Sequence, residues 1–268
     1  MCFKSASALA FLFAAVTAAA AEDSDSRLHH VDLQSHVNQP LDEDFLPGDY
    51  PGDSLSELAR GDCELGGIPF RIGDDLVQVS GKFLPDHPTR VEDIEVGQHA
   101  KRIHFLHAAR WGAYGSRGDS LGHWVADGTP IGYYEVVYED GSAEAIPIIY
   151  GVDVRDWWSI WDNAKATERG KVVWTGNNPH LRQRSEARHT DTPLRLYLST
   201  WENPRPEARV ASIEFVSLGQ AAAPFCVAMT AEKSDARFGQ QILNLEREVE
   251  RLTRELAKLK KQFSGEVE

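Results

Sequence analysis

Apolar and polar residues alternate with a period of two through most of this chain, and follow a heptad only near its end. Alternation is clearest in Ala211/Ile213/Phe215, Leu194/Leu196/Leu198 and Phe225/Val227/Met229, the pattern of strands with one buried face. Similar short runs, bounded by Gly, Pro, Asn and Asp, predict strands at Ile68–Ile72, Leu76–Val79, Arg102–Ala108, Tyr133–Tyr138, Ala145–Tyr150, Lys171–Thr175, Leu194–Thr200, Val210–Ser217 and Phe225–Thr230. No amphipathic helical pattern separates them, so residues 31–231 are expected to form an all-β domain, an antiparallel β-sandwich. The polar stretch 177–191, with three arginines and two histidines, is expected to be a mobile loop.

One hairpin can be argued in register. A two-residue loop at Asp140-Gly141 sets Tyr134, Val136 and Tyr138 on one face with Ala143, Ala145 and Pro147. A three-residue loop, Glu139-Asp140-Gly141, sets them instead with Ile146 and Ile148. The second register is favoured because it makes one face coherently apolar and places glycine where a type I turn with a G1 bulge needs φ > 0. Pro147 cannot donate to a ladder, so its strand is expected at an edge or a bulge.

After Ala231 the period changes. Ile242, Leu245, Val249, Leu252, Leu256, Leu259 and Phe263 are spaced alternately three and four residues apart. That is a heptad with Ile, Val, Leu and Phe at a and Leu at d, and it predicts a coiled-coil helix over 234–263, with Ser234 as N-cap and a disordered tail at 264–268. β-Branched residues at a with leucine at d favour a parallel two-stranded coil, though about three heptads also suit a trimer. Glu255 at g facing Lys260 at e of a partner supports the parallel register. The alternative is a single helix folded back on the sandwich, but such a helix usually shows a wider apolar stripe. Self-association is therefore the first expected partnership.

The chain start changes the compartment. Lys4, the apolar run Leu9 to Val16 and Ala19-Ala20-Ala21 read as a signal peptide over residues 1–21. The run is too short to span a bilayer, so the expected product is exported (periplasmic, cell-surface or extracellular), without membrane insertion after cleavage. A polar linker follows at 22–30. Lys4 is the only charge in the first 21 residues, so its loss takes the net charge from −13 to −14. That acidity argues against nucleic acid as a partner. Cys63 and Cys226 lie near the two ends of the β-region, where terminal strands often pair; a disulfide and two separate buried thiols are both open readings.

Candidate chemistry is sparse. Gly52-Asp-Ser-Leu55 and Gly118-Asp-Ser-Leu121 both spell an esterase nucleophile block, but neither follows a strand-like run and the later Asp-x-x-His signature is absent. His104 and His107 share one predicted strand on opposite faces, which does not make a joint metal site. Tryptophans are the stronger signal. Trp111, Tyr114 and Trp124 fall in one Gly-rich region; Trp157, Trp158 and Trp161 fall in another, beside Arg155 and Asp156. Exposed indoles stack on sugar C–H faces while polar neighbours hold hydroxyls. Sandwiches also bury tryptophan as core, and for the adjacent Trp157-Trp158 at least one core position is expected.

Several short runs, taken in order, carry a resemblance. Val31-Asp-Leu33, Leu65-Gly-Gly-Ile-Pro-Phe70, His104-Phe-Leu-His107, the Tyr133–Trp158 block, Leu196-Tyr-Leu198 and Ala223-Pro-Phe-Cys-Val-Ala228 resemble galactose-binding-like jelly-roll modules, similar to the sugar-binding modules attached to bacterial glycoside hydrolases. The resemblance covers roughly residues 28–231. It implies a jelly roll, usually non-catalytic, with ligands in loops at one end, no cofactor and sometimes a structural calcium whose ligands cannot be mapped onto this chain. In place of an attached catalytic domain the chain carries the heptad. The combined expectation is an exported, oligomeric, non-catalytic carbohydrate-binding module; the alternative is an assembly protein whose sandwich binds another exported protein, and an esterase-type hydrolase is third.

Overall fold

The computed structural model describes residues 27–45, 51–112, 125–159, 165–188, 193–234, 244–245 and 247–258. Twelve strands are assigned among them: β1 Leu28–Val31, β2 Gln39–Pro40, β3 Gly61–Leu65, β4 Ile68–Ile72, β5 Asp75–Gln78, β6 Arg90–Arg110, β7 Pro130–Tyr138, β8 Ala143–Ile149, β9 Lys171–Gly176, β10 Leu194–Glu202, β11 Arg209–Ser217 and β12 Ala223–Lys233. Each of the nine expected strands coincides with one of these, two of them (Leu76–Val79 and Ala145–Tyr150) running one residue past its end. All paired strands run antiparallel, so the domain is predominantly β and consistent with a β-sandwich.

The 21-residue β6 organises the fold. Its first half pairs with β11, which continues to β7 and β8. Its second half lies between β10 and β12, and those lead to β9 on one side and to β1, β5 and β2 on the other. One strand thus serves both layers, as happens where bulges bend a strand from one sheet into another. Two such irregularities lie in its first half: β6 carries an extra residue twice opposite β11, near Asp93 (φ 58°) and Gly97 (φ 62°).

Between the layers, Tyr134 of β7 stacks on Phe105 of β6 at 4.0 Å and on Phe215 of β11 at 4.7 Å. These rings and their aliphatic neighbours are fully buried. Aromatic contacts of this kind add about 0.5–1.5 kcal/mol each beyond their burial.

The β7–β8 hairpin has the three-residue loop. Tyr134 faces Ile146, Val137 faces Ala143, and the Gly141 amide donates to the Tyr138 carbonyl at 2.9 Å. Gly141 has φ 80°, a conformation an L side chain would strain. β8 ends its layer, which accommodates Pro147.

Two expectations change. The stretch expected to be a loop contains a helix, Pro179–Arg188. Asn178 caps it, its Oδ1 accepting the Leu181 amide at 2.8 Å, and Pro179 takes the first helical position. The C-terminal helix is described over 247–258 rather than 234–263. Ile242, Leu259 and Phe263 lie outside the described residues, as do the signal segment and the tail. Every described residue of this helix is exposed, so it does not fold back on the β-domain. Among the described residues no helix is long and apolar enough to cross a membrane.

Candidate functional site

The segment carrying Arg155 to Trp158 crosses the end of the domain as turns and isolated bridges, Ala109 with Asp156 and Trp158 with Leu194. Its tryptophans do not face water. Trp157 is 3% exposed, stacked on Phe45 at 4.7 Å and edge-on to Phe225 at 6.3 Å. Trp158 is 5% exposed, donates from Nε1 to Asp53 Oδ1 at 3.0 Å and stacks on His180. Both were candidates for stacking platforms, with at least one expected as core; both are packing elements, because residues distant in sequence close over them. Trp111 is half-buried against Phe83. Tyr114, Trp124 and Trp161 lie outside the described residues.

Arg155 and Asp156 are likewise committed to the framework. Arg155 holds Asp127 through two bonds of 2.7 and 2.8 Å. Asp156 accepts the amides of Gly112 at 2.7 Å and Trp158 at 2.9 Å. The first esterase-like block is buried here too. Asp53 accepts from Trp158 and from Asn178 Nδ2 at 3.0 Å, while Ser54 Oγ accepts the Ser56 amide. The second block, with Ser120, is outside the described residues.

These contacts create a buried cluster of opposite charges. Desolvation outweighs hydrogen bonding and Coulomb attraction, raising the Asp53 carboxyl to about 7 and the Asp156 carboxyl to about 6. Desolvation also lowers the Arg110 guanidinium to about 10. Arg110 Nη2 donates to the Phe45 carbonyl, and its cation sits 4.9 Å from the Phe45 ring. The cluster tethers Phe45 and Asp53, the end of β6, the 150s segment and the Asn178 cap of the Pro179 helix to one another. It has the character of a clasp.

A cleft of about 210 Å³ opens elsewhere, between β8 and the last residues of β10. β8 is a terminal strand, and β9 stops pairing with β10 at Leu198, so the cleft lies between two strand edges left unpaired among the described strands. Ile146, Pro147 and Trp201 line its walls; His107 and Ser199 line its polar floor. His107 is hydrogen-bonded through Nε2 to Ser199 Oγ at 2.9 Å and through Nδ1 to Tyr134 Oη at 3.2 Å. Burial lowers His107 to about 4, which keeps the ring neutral at ordinary pH.

An ion pair closes one end of the cleft. Arg169 donates to both oxygens of Asp153 at 2.9 Å, and Asp153 Oδ2 also accepts the Ile149 amide. Residue 170 must be glycine for this geometry, since a Cβ there would overlap the Asp153 carbonyl. Sequence reasoning passed over Trp201 and Arg169. The visible signal was the run Ser199-Thr-Trp201 at the end of a strand whose earlier residues are wholly apolar or aromatic at alternate positions.

Cys63 and Cys226 are both free thiols, so the bridge that was one of two open readings does not form. Cys63 belongs to the separate β3–β4 hairpin, opposite Phe70; Cys226 sits in β12 opposite Val77 and His107. Burial pushes the Cys226 thiol up to about 12. Among the described residues, no three His, Cys, Asp or Glu side chains are grouped to hold a metal ion. No protein-family model and no curated protein sequence matches the chain.

Proposed function

We propose that this chain is an exported, non-catalytic binding module of the galactose-binding-like jelly-roll kind, multimerised by its C-terminal helix and recognising carbohydrate. The observation that carries the reading is the stripe Leu245, Val249, Leu252 and Leu256, which are 65%, 61%, 51% and 55% exposed. Four large apolar side chains at a and d positions on a helix whose described residues are all exposed are complementary to a second copy of themselves. The flanking surface is charged, with Arg251 paired to Glu248 and Arg254 to Glu250. A narrow seam with charged shoulders suits a coil better than a core-facing helix.

Joining several weak sugar sites on one stalk raises apparent affinity without new contacts. Light scattering on the full chain tests the reading: a dimer or trimer is expected, and Leu252→Lys, which puts an ammonium into the seam, should yield monomers with unchanged β-domain fluorescence. The monomer should then lose retention on an immobilised neutral glycan. A monomeric parent chain would refute the multimer.

The second reading is an assembly protein whose β-domain binds another exported protein. Burial of Trp157 and Trp158 favours it, because those indoles supply no sugar platform. Retention of a protein partner, with no glycan bound by the multimer, would select it.

A further inference from the structure

We infer that the cleft between β8 and β10 is the ligand site, and that it takes one uncharged sugar ring. The inference rests on the carbohydrate reading above and relocates its site from the loop-end indoles to the side of the domain.

The chemistry of the walls argues for the ligand class. A sugar ring presents C–H faces to apolar surface and hydroxyls around its rim. Ile146 and Pro147 on one side and the partly buried Trp201 on the other supply apolar surface, while Ser199, held by buried His107, supplies a polar group at the floor. The oxygen of Ser199 already meets His107, but a hydroxyl has a donor and two acceptor positions, so it retains capacity for a ligand hydroxyl. Arg169 offers more: its side chain is 59% exposed, and Asp153 engages only Nε and Nη2.

Charge narrows the class further. Asp153 is matched by Arg169, and Glu202 at the rim by Arg102 at 2.7 Å. An ionic ligand would meet no uncompensated opposite charge and would lose hydration on entry. A neutral polyol loses far less. Size points the same way, since about 210 Å³ lies below the roughly 300–1,000 Å³ of pockets for drug-sized ligands and suits a single ring at a chain end or branch.

The cleft is also held in shape before any ligand arrives. Asp153 is fixed by the Ile149 amide and by Arg169, and His107 is fixed at both ring nitrogens. Preorganisation of this kind lowers the ordering cost of binding.

The test uses the full-length multimer on an array of neutral, sialylated and sulfated glycans, followed by calorimetry on the best neutral glycan. Trp201→Ala removes one wall and Ile146→Arg fills the cleft; Trp161→Ala, at one of the indoles expected from the sequence, is the comparison. Melting temperature and near-UV circular dichroism verify folding of each variant, and Trp201→Phe, which keeps an aromatic face, should restore part of the binding. We expect neutral glycans to bind, with affinity falling about tenfold or more in Trp201→Ala and Ile146→Arg and unchanged in Trp161→Ala. Glycan binding that survives both cleft variants but falls in Trp161→Ala overturns this site and leaves the carbohydrate reading intact. Binding restricted to anionic glycans overturns the ligand class. Absence of all glycan binding by a properly assembled multimer overturns both.

Discussion

Replacing Asp53 by asparagine should make the protein's stability less dependent on pH, in a direction opposite to that of most carboxylates. A side chain of similar shape would still present an oxygen to Trp158 Nε1 and Asn178 Nδ2, but could not ionise. In the folded chain burial holds the Asp53 proton until about pH 7, whereas a carboxyl in the unfolded chain releases it near 3.8. The native state therefore binds more protons between those values. Its stability contribution is fully present below the unfolded value and declines as pH rises through the folded one. At 1.36 kcal/mol per tenfold, the whole effect is at most ~4 kcal/mol. Between about pH 4.5 and about pH 8 the loss comes to ~3 kcal/mol, because a small part has gone by the lower pH. Asp156, raised to about 6, acts in the same direction, and His107, lowered to about 4, acts in the opposite one. Both are present in the parent and the variant, so the difference between the two proteins reports Asp53 together with its coupling to Asp156. Urea denaturation followed by tryptophan fluorescence, at both pH values, measures it. The stability of Asp53→Asn relative to the parent should rise by ~3 kcal/mol from the lower pH to the higher. A pH-independent difference would refute the argument that desolvation dominates at this carboxyl.

Tyr134→Phe keeps the stack with Phe105 and Phe215 but removes the partner of buried His107 Nδ1; urea titration should show a loss of about 1–3 kcal/mol, and an unchanged midpoint would mean that another group satisfies the ring. Gly170→Ala must displace the Asp153 backbone and should lower stability by roughly 1–3 kcal/mol, whereas a neutral result would show that the turn relaxes freely. Because Cys63 and Cys226 are free, dithiothreitol should leave the thermal midpoint unchanged, and Cys226 should label with a thiol reagent only after unfolding; a midpoint that falls on reduction would reveal a bridge.

The register of the β7–β8 hairpin was legible because alternation and the Asp140-Gly141 turn point to one loop length, although the strand ends were not. The first half of β6 was not, although it is strand. Its buried residues Val91, Ile94, Val96 and Ala100 are spaced unevenly because the extra residues near Asp93 and Gly97 reset the period each time, and a search for period two sees only a charged loop. The Pro179–Arg188 helix was hidden by its polarity, yet Asn178-Pro179 before Leu181 was a readable start signal. For the tryptophan pair, local pattern reached only as far as one core ring, not two. Phe45 covers one ring and Asp53 takes the other's N–H, across more than a hundred residues that no periodicity links. The cleft is illegible for a similar reason: His107, Arg169 and Ser199 come from three separate strands or turns.

β12, the last strand, occupies an interior position, bonded to β6 along one edge and to β1 and β5 along the other. Contacts such as Arg102 to Glu232 span 130 residues. Closure of the domain must therefore wait until nearly the entire β-region has been synthesised, and such long-range pairing folds slowly. A chain built this way stays open until late in its synthesis. The same order of events leaves fragments ending before Ala223 with a bare β6 edge, prone to aggregate.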